Sequence, residues 1–279
     1  MIQDVEPKGA VHWIDHYLVG TNNMVAWVDW AVNATGITRR PMIGLTTAAR
    51  KRNIKITSFL WWEGGSCRIG AFLQPEIYPA AKPLGEDLPR CGFYIRPEDV
   101  NAHLRRLDQH KIPHSDPIRT AADGDEGTLI FFADPDGNQY EFWAPENMPE
   151  GAMEIATENH VGRISHAVFG ARDLARTAEF FEKYCGIKAE QASKTAEGTL
   201  VLRMRAGGRL IYKLVDKVEE RVSGHVTWWD MHTALTVRDE EFLPSYHRKW
   251  AGIPEDKGYK AGLSLPIGQQ EAPPARTGL

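Results

Sequence analysis

The chain has 279 residues, with 33 Lys+Arg against 37 Asp+Glu, a net charge of -4 and 42% hydrophobic residues. That balance belongs to ordinary globular proteins and excludes disordered, collagenous and fibrous classes. With a pI near 6.2 and no lysine-rich arm, the chain lacks the basic surface that nucleic acid requires, and Arg39-Arg40 and Arg50-Lys51-Arg52 read as solvated faces.

No run approaches the ~20 apolar residues of a membrane span, and the opening Met1-Ile2-Gln3-Asp4-Val5-Glu6 has no signal-peptide core. A cytoplasmic protein with no membrane or nucleic-acid partner is expected. Cys67, Cys91 and Cys185 form no CxxC pair, which leaves free thiols rather than a disulfide framework or a structural zinc site. Nine tryptophans and eight tyrosines suit either a packed core or the walls of a pocket for a planar ligand.

In chain order, His16-Tyr17-Leu18-Val19-Gly20 predicts a strand, followed by an amphipathic helix through Trp30 that ends on Gly36-Ile37. Ile54 to Leu60 alternates as a further strand. Cys91-Gly92-Phe93-Tyr94-Ile95 starts a second strand-helix unit, whose helix follows Pro97 and carries Leu104 and Leu107. Leu129–Phe132 and Tyr140–Trp143 flank the turn Asp134-Pro135-Asp136-Gly137-Asn138, a hairpin that needs no function. Turn formers and acids from Ala144 to Gly151 mark a linker.

The pattern then repeats. His166-Ala167-Val168-Phe169-Gly170 matches His16-Tyr17-Leu18-Val19-Gly20 with no insertion before Gly186-Ile187, and Phe180 stands for Trp30. Thr199 to Met204 is its alternating strand, and His232 to Val237 matches the segment starting at Cys91. The unit is βαβββ, used four times. The expected fold class is α+β, with paired modules forming two cupped mixed sheets: one domain over 10–147, a linker over 148–162 and a second domain over 163–279.

These modules resemble the vicinal oxygen chelate superfamily. The Asp134-Pro135-Asp136-Gly137 hairpin ending in Glu141, followed by Gly162-Arg163-Ile164-Ser165-His166, is similar to two-domain type I extradiol ring-cleavage dioxygenases. The resemblance implies Fe(II), or alternatively Mn(II) or another divalent metal, held in the second domain by His166, His232 and a late glutamate. Two imidazoles and a carboxylate leave open positions for a bidentate catecholate and O2. Glu271 is the late candidate; it follows Gly268 by three residues where Glu141 follows Gly137 by four, so a bulge must turn it inward. The first domain offers an alternative set, His16 and Glu141, with Cys91 in the place of the second histidine, and reads as a metal-free relic.

Ring cleavage also needs a group to take a proton. Where the related dioxygenases show a histidine pair, this chain has Leu210-Ile211-Tyr212-Lys213-Leu214. Tyr212, His225 and Tyr259, with His247, are the candidates, and Trp228 and Trp229 could wall the pocket. Implied partners are a small aromatic substrate and O2, in a homo-oligomer. Two other readings stand beside the dioxygenase: a glyoxalase-type metal-dependent isomerase or lyase, and a metal-free aromatic-binding protein of the bleomycin-resistance kind.

Overall fold

A computed structural model describes residues 11–37, 57–61, 67–73, 82–121, 125–154, 156, 160–188, 198–204, 207–217 and 233–237. The first module is β1 (Val11–Thr21), α1 (Met24–Thr35), β2 (Thr57–Trp61) and β3 (Arg68–Leu73). The Asn23 side chain caps α1 by accepting from the Ala26 amide at 3.1 Å. Gly36, at φ 74, ends it by donating to the Val32 carbonyl.

The second module is β4 (Arg90–Tyr94), a 3-10 turn (Pro97–Asp99) leading into α2 (Val100–Gln109), then β5 (Ile118–Thr120), β6 (Gly127–Ala133) and β7 (Gln139–Pro145). The third is β8 (Ile164–Ala171), α3 (Leu174–Phe180), β9 (Thr199–Arg203) and β10 (Arg209–Leu214). A final described strand is β11 (Thr233–Val237).

The repeat holds in detail. Asp173 caps α3 as Asn23 caps α1, and Gly186 adopts φ 67 as its counterpart Gly36 adopts φ 74. β1 runs parallel to β3 with His16 opposite Arg68, and β8 runs parallel to β10 with His166 opposite Arg209.

The architecture is α+β with two mixed sheets. Sheet A has the order β11-β1-β3-β2, and sheet B the order β5-β6-β7-β4-β8-β10-β9. Strands are therefore joined across the linker, and the sheets do not follow the division into 10–147 and 163–279. The linker explains the crossing. Ala152 is fully buried, its carbonyl accepts from the Arg163 amide at 2.9 Å, and Gly162 N and Arg163 O close a ladder with Tyr94 at 2.7 and 3.0 Å. The chain leaving the linker is thus already paired to β4, and β8 continues beside it. A side chain at Gly162 would come within 2.4 Å of the Ala152 carbonyl, so only glycine fits that approach.

Among the described residues the larger core cluster joins α1 to both sheets, and a smaller one gathers Tyr94, Trp143 and Ala152. Trp30 of α1 packs on Tyr140 of β7 with ring centroids 4.7 Å apart and donates its indole N–H to the Ala133 carbonyl. His103 of α2 lies 4.8 Å from Phe142. The hairpin at 134–138 is structural, as its sequence implies. Asp134 accepts from the amides of Asp136 and Asn138, and Asp136 accepts from Thr21 Oγ1 at 2.5 Å, tying the turn to the end of β1.

Candidate active site

Three adjacent strands of sheet B align Glu141, Gly92 and His166 in one row: Gly92 faces Glu141 across the β4–β7 ladder and His166 across the β4–β8 ladder. Directly opposed residues share a face. Because Gly92 has no side chain, its neighbours meet over it, with His166 Nε2 2.6 Å from Glu141 Oε2. Ser165 Oγ lies 2.9 Å from the other ring nitrogen.

Arg90, two residues before Gly92 and on the same face, donates from Nε to Glu141 Oε1 at 2.5 Å and from its NH1 nitrogen to the carbonyls of Gly85 and Asp87. The segment carrying those carbonyls is fixed by Gln139, which accepts from Gly85 N at 2.7 Å and donates to the Pro83 carbonyl at 2.8 Å. Glu141, His166 and Arg90 are 2%, 3% and 8% exposed, so the cluster is closed to solvent. Burial by itself would raise the Glu141 pKa, but His166 and Arg90 outweigh it and hold the carboxyl down at about 2.

A divalent metal does not fit this cluster. Its two ligand-type side chains are spent on each other, and a guanidinium already neutralises the carboxylate. Among the described residues no group of three His, Cys, Asp or Glu side chains could hold an ion. The candidates therefore regroup. His166 meets Glu141 rather than belonging to a separate set, while His16 stands on sheet A.

Cys91 is also corrected. Ala167 pairs with Cys91 as its repeat counterpart Tyr17 pairs with Thr233, so Cys91 corresponds to Thr233, one residue past His232. That single step turns the side chain to the opposite face. Cys91 is fully buried in the core, where burial pushes its thiol pKa well up, and it is no metal ligand. The residue corresponding to His232 is Arg90.

On sheet A, His16 sits in β1 between Ala234 of β11 and Arg68 of β3 and is 6% exposed. The β1–β11 register slips between Ile14 and His16, and at this irregularity consecutive side chains meet: Asp15 Oδ2 is 2.5 Å from His16 Nδ1. Arg68 donates to the same Asp15 oxygen, and its NH2 nitrogen is 3.2 Å from His16 Nδ1. Burial would raise the Asp15 pKa, yet His16 and Arg68 bring it below the ordinary value. A carboxylate on one ring nitrogen is the arrangement that orients a metal-binding imidazole, and it makes Nε2 the nitrogen with which His16 would ligate. Among the described residues sheet A, like sheet B, gathers no three His, Cys, Asp or Glu side chains around an ion.

Tyr212 pairs with Phe169, so it points away from the face that carries His166. It stacks on Phe169 at 5.4 Å beside Phe181 at 5.7 Å, and burial raises its pKa. It is thus a packing residue under α3, not a proton acceptor beside His166. His225, Trp228, Trp229, His232, His247, Tyr259 and Glu271 lie outside the described residues. Sequence reasoning missed Arg90, Asp15 and Arg68. Matching the small residues Gly92 and Ala234, rather than Cys91 and His232, would have exposed Arg90.

No family model matches the chain, and no curated protein matches it. Solved structures do. A candidate dioxygenase from Bacillus subtilis aligns at TM-score 0.65 and 14% identity, over 86% of this chain and 74% of that one. Glyoxalase I from Zea mays aligns at TM-score 0.50 and 15% identity, over 72% of this chain and 68% of its own. At such identities the likeness shows the fold alone.

Proposed function

We propose that this chain is an Fe(II)-dependent dioxygenase that cleaves a catechol-like aromatic ring with O2, with His16 of sheet A, His232 and Glu271 as the residues that would hold its iron. The observation that supports this reading is the register of β11. Ala234 and Thr233 face His16 and Tyr17, and His232 is the next residue in sequence. In sheet B the counterparts of His16 and His232 are His166 and Arg90, and their side chains converge on one carboxylate.

Bound Fe(II) would supply open positions for two vicinal substrate oxygens and for O2. The chain's own part is positional. Asp15 holds the His16 ring in one orientation, and Arg68 holds Asp15. A fixed second layer of this kind typically contributes 10–100-fold in metal affinity.

The test is elemental analysis of protein purified without oxygen, followed by O2 uptake with a panel of catechols. Stoichiometric iron and catechol-dependent O2 consumption are expected. Zinc or nickel with no O2 uptake would point instead to the isomerase class, and tight aromatic binding without metal to a sequestering protein.

A further inference from the structure

We propose that Arg90 is the resident cation of sheet B, occupying by charge and hydrogen bonding the place where the Glu141 and His166 donors would otherwise hold a divalent metal. The cluster is then a metal-free lock between the second and third modules. This does not depend on what sheet A binds. Each acceptor of the set is engaged: Glu141 Oε1 by Arg90, Glu141 Oε2 by His166, and His166 Nδ1 by Ser165. A metal entering here would have to break the Arg90–Glu141 and His166–Glu141 bonds. It would also stand beside a guanidinium tethered by two backbone carbonyls, a like-charge contact in a closed site.

The lock is placed to join modules. Arg90 and Glu141 come from the second module and His166 from the third, so the bridge crosses the β4–β8 seam where strands on either side of the linker pair. Gly92 is the gap that lets the bridge form, since a Cβ there would lie 2.3 Å from His166 Cε1.

Two experiments test this. In the unaltered protein, Zn(II) is titrated while the ring 15N resonances of His166 are followed; being diamagnetic, zinc bound elsewhere leaves them in place. They are expected not to move, and a large Nε2 shift would overturn the proposal. Arg90→His, which removes the cation and supplies an imidazole, is expected to bind one more equivalent of Zn(II) than its parent and to lose it when Glu141→Gln is added. A folded Arg90→His protein with no gain in zinc would also overturn the proposal, because Arg90 would then not be what keeps metal out.

Discussion

The imidazole of His166 lies directly over Gly92, so close that a Cβ at residue 92 would stand 2.3 Å from Cε1 and 2.7 Å from Nε2. Both strands are buried along this row, which leaves the ring nowhere to retreat. Gly92→Ala should therefore displace His166 and break its bond to Glu141. A loss of about 1–3 kcal/mol is expected, read as a lower denaturation midpoint with an unchanged m-value.

Removing one partner of the buried ion pair should cost more than removing both. Glu141→Ala leaves the Arg90 guanidinium buried and unpaired, a change that typically costs about 3–5 kcal/mol. The double variant Glu141→Leu/Arg90→Met should recover most of that loss, and a double-mutant cycle with Glu141→Leu and Arg90→Met as the single variants measures the coupling from unfolding free energies. In the unaltered protein the same cluster gives an acid-labile contribution. The Glu141 pKa falls from 4.5 to about 2 on folding, so its stabilisation is full above pH 4.5 and is lost as pH falls toward 2.

His103 sets a second acid window. It is fully buried, neither ring nitrogen has a hydrogen-bond partner, and burial, with Arg106 and His160 nearby, lowers its pKa from 6.5 to about 3. The unfolded chain binds the proton between those values and the folded chain does not, so stability is full above pH 6.5 and is lost as pH falls toward 3. His103→Leu should remove this slope, sparing the variant the loss of about 3 kcal/mol that the parent suffers from this group between pH 7 and pH 4. Unfolding measured from pH 7 to pH 4 checks both.

The fold was largely legible because the repeat is written in caps and strand starts: Gly36 and Gly186 end equivalent helices, and His16 and His166 occupy equivalent strand positions. Strand partners were not legible. Sequence similarity defines modules but does not say which edge β1 or β4 will accept, and here both edges are taken by strands beyond the linker. That pairing regroups the site, placing His166 with Glu141 and His16 beside β11. Cys91 misled by one residue, and in a strand one residue reverses the face.

The proposed metal site would give Asp15 a positioning role through its bond to His16. If Asp15 orients His16 for a metal, Asp15→Asn should leave the fold intact and weaken metal binding about 10–100-fold, with Asp15→Glu recovering part of the loss. Isothermal titration with Fe(II) or Mn(II) under argon gives the affinities. Equal affinity in the parent and Asp15→Asn proteins would remove Asp15 from this role.

The central claim is that metal belongs to the sheet of His16 and not to that of His166. Its most direct measurement is the iron retained after anaerobic loading and dialysis by the parent, His16→Ala and His166→Gln proteins, each shown to be folded by its unfolding transition. The account predicts that His16→Ala loses the iron and His166→Gln keeps it. Iron kept by His16→Ala and lost by His166→Gln would contradict the account and return the metal to sheet B.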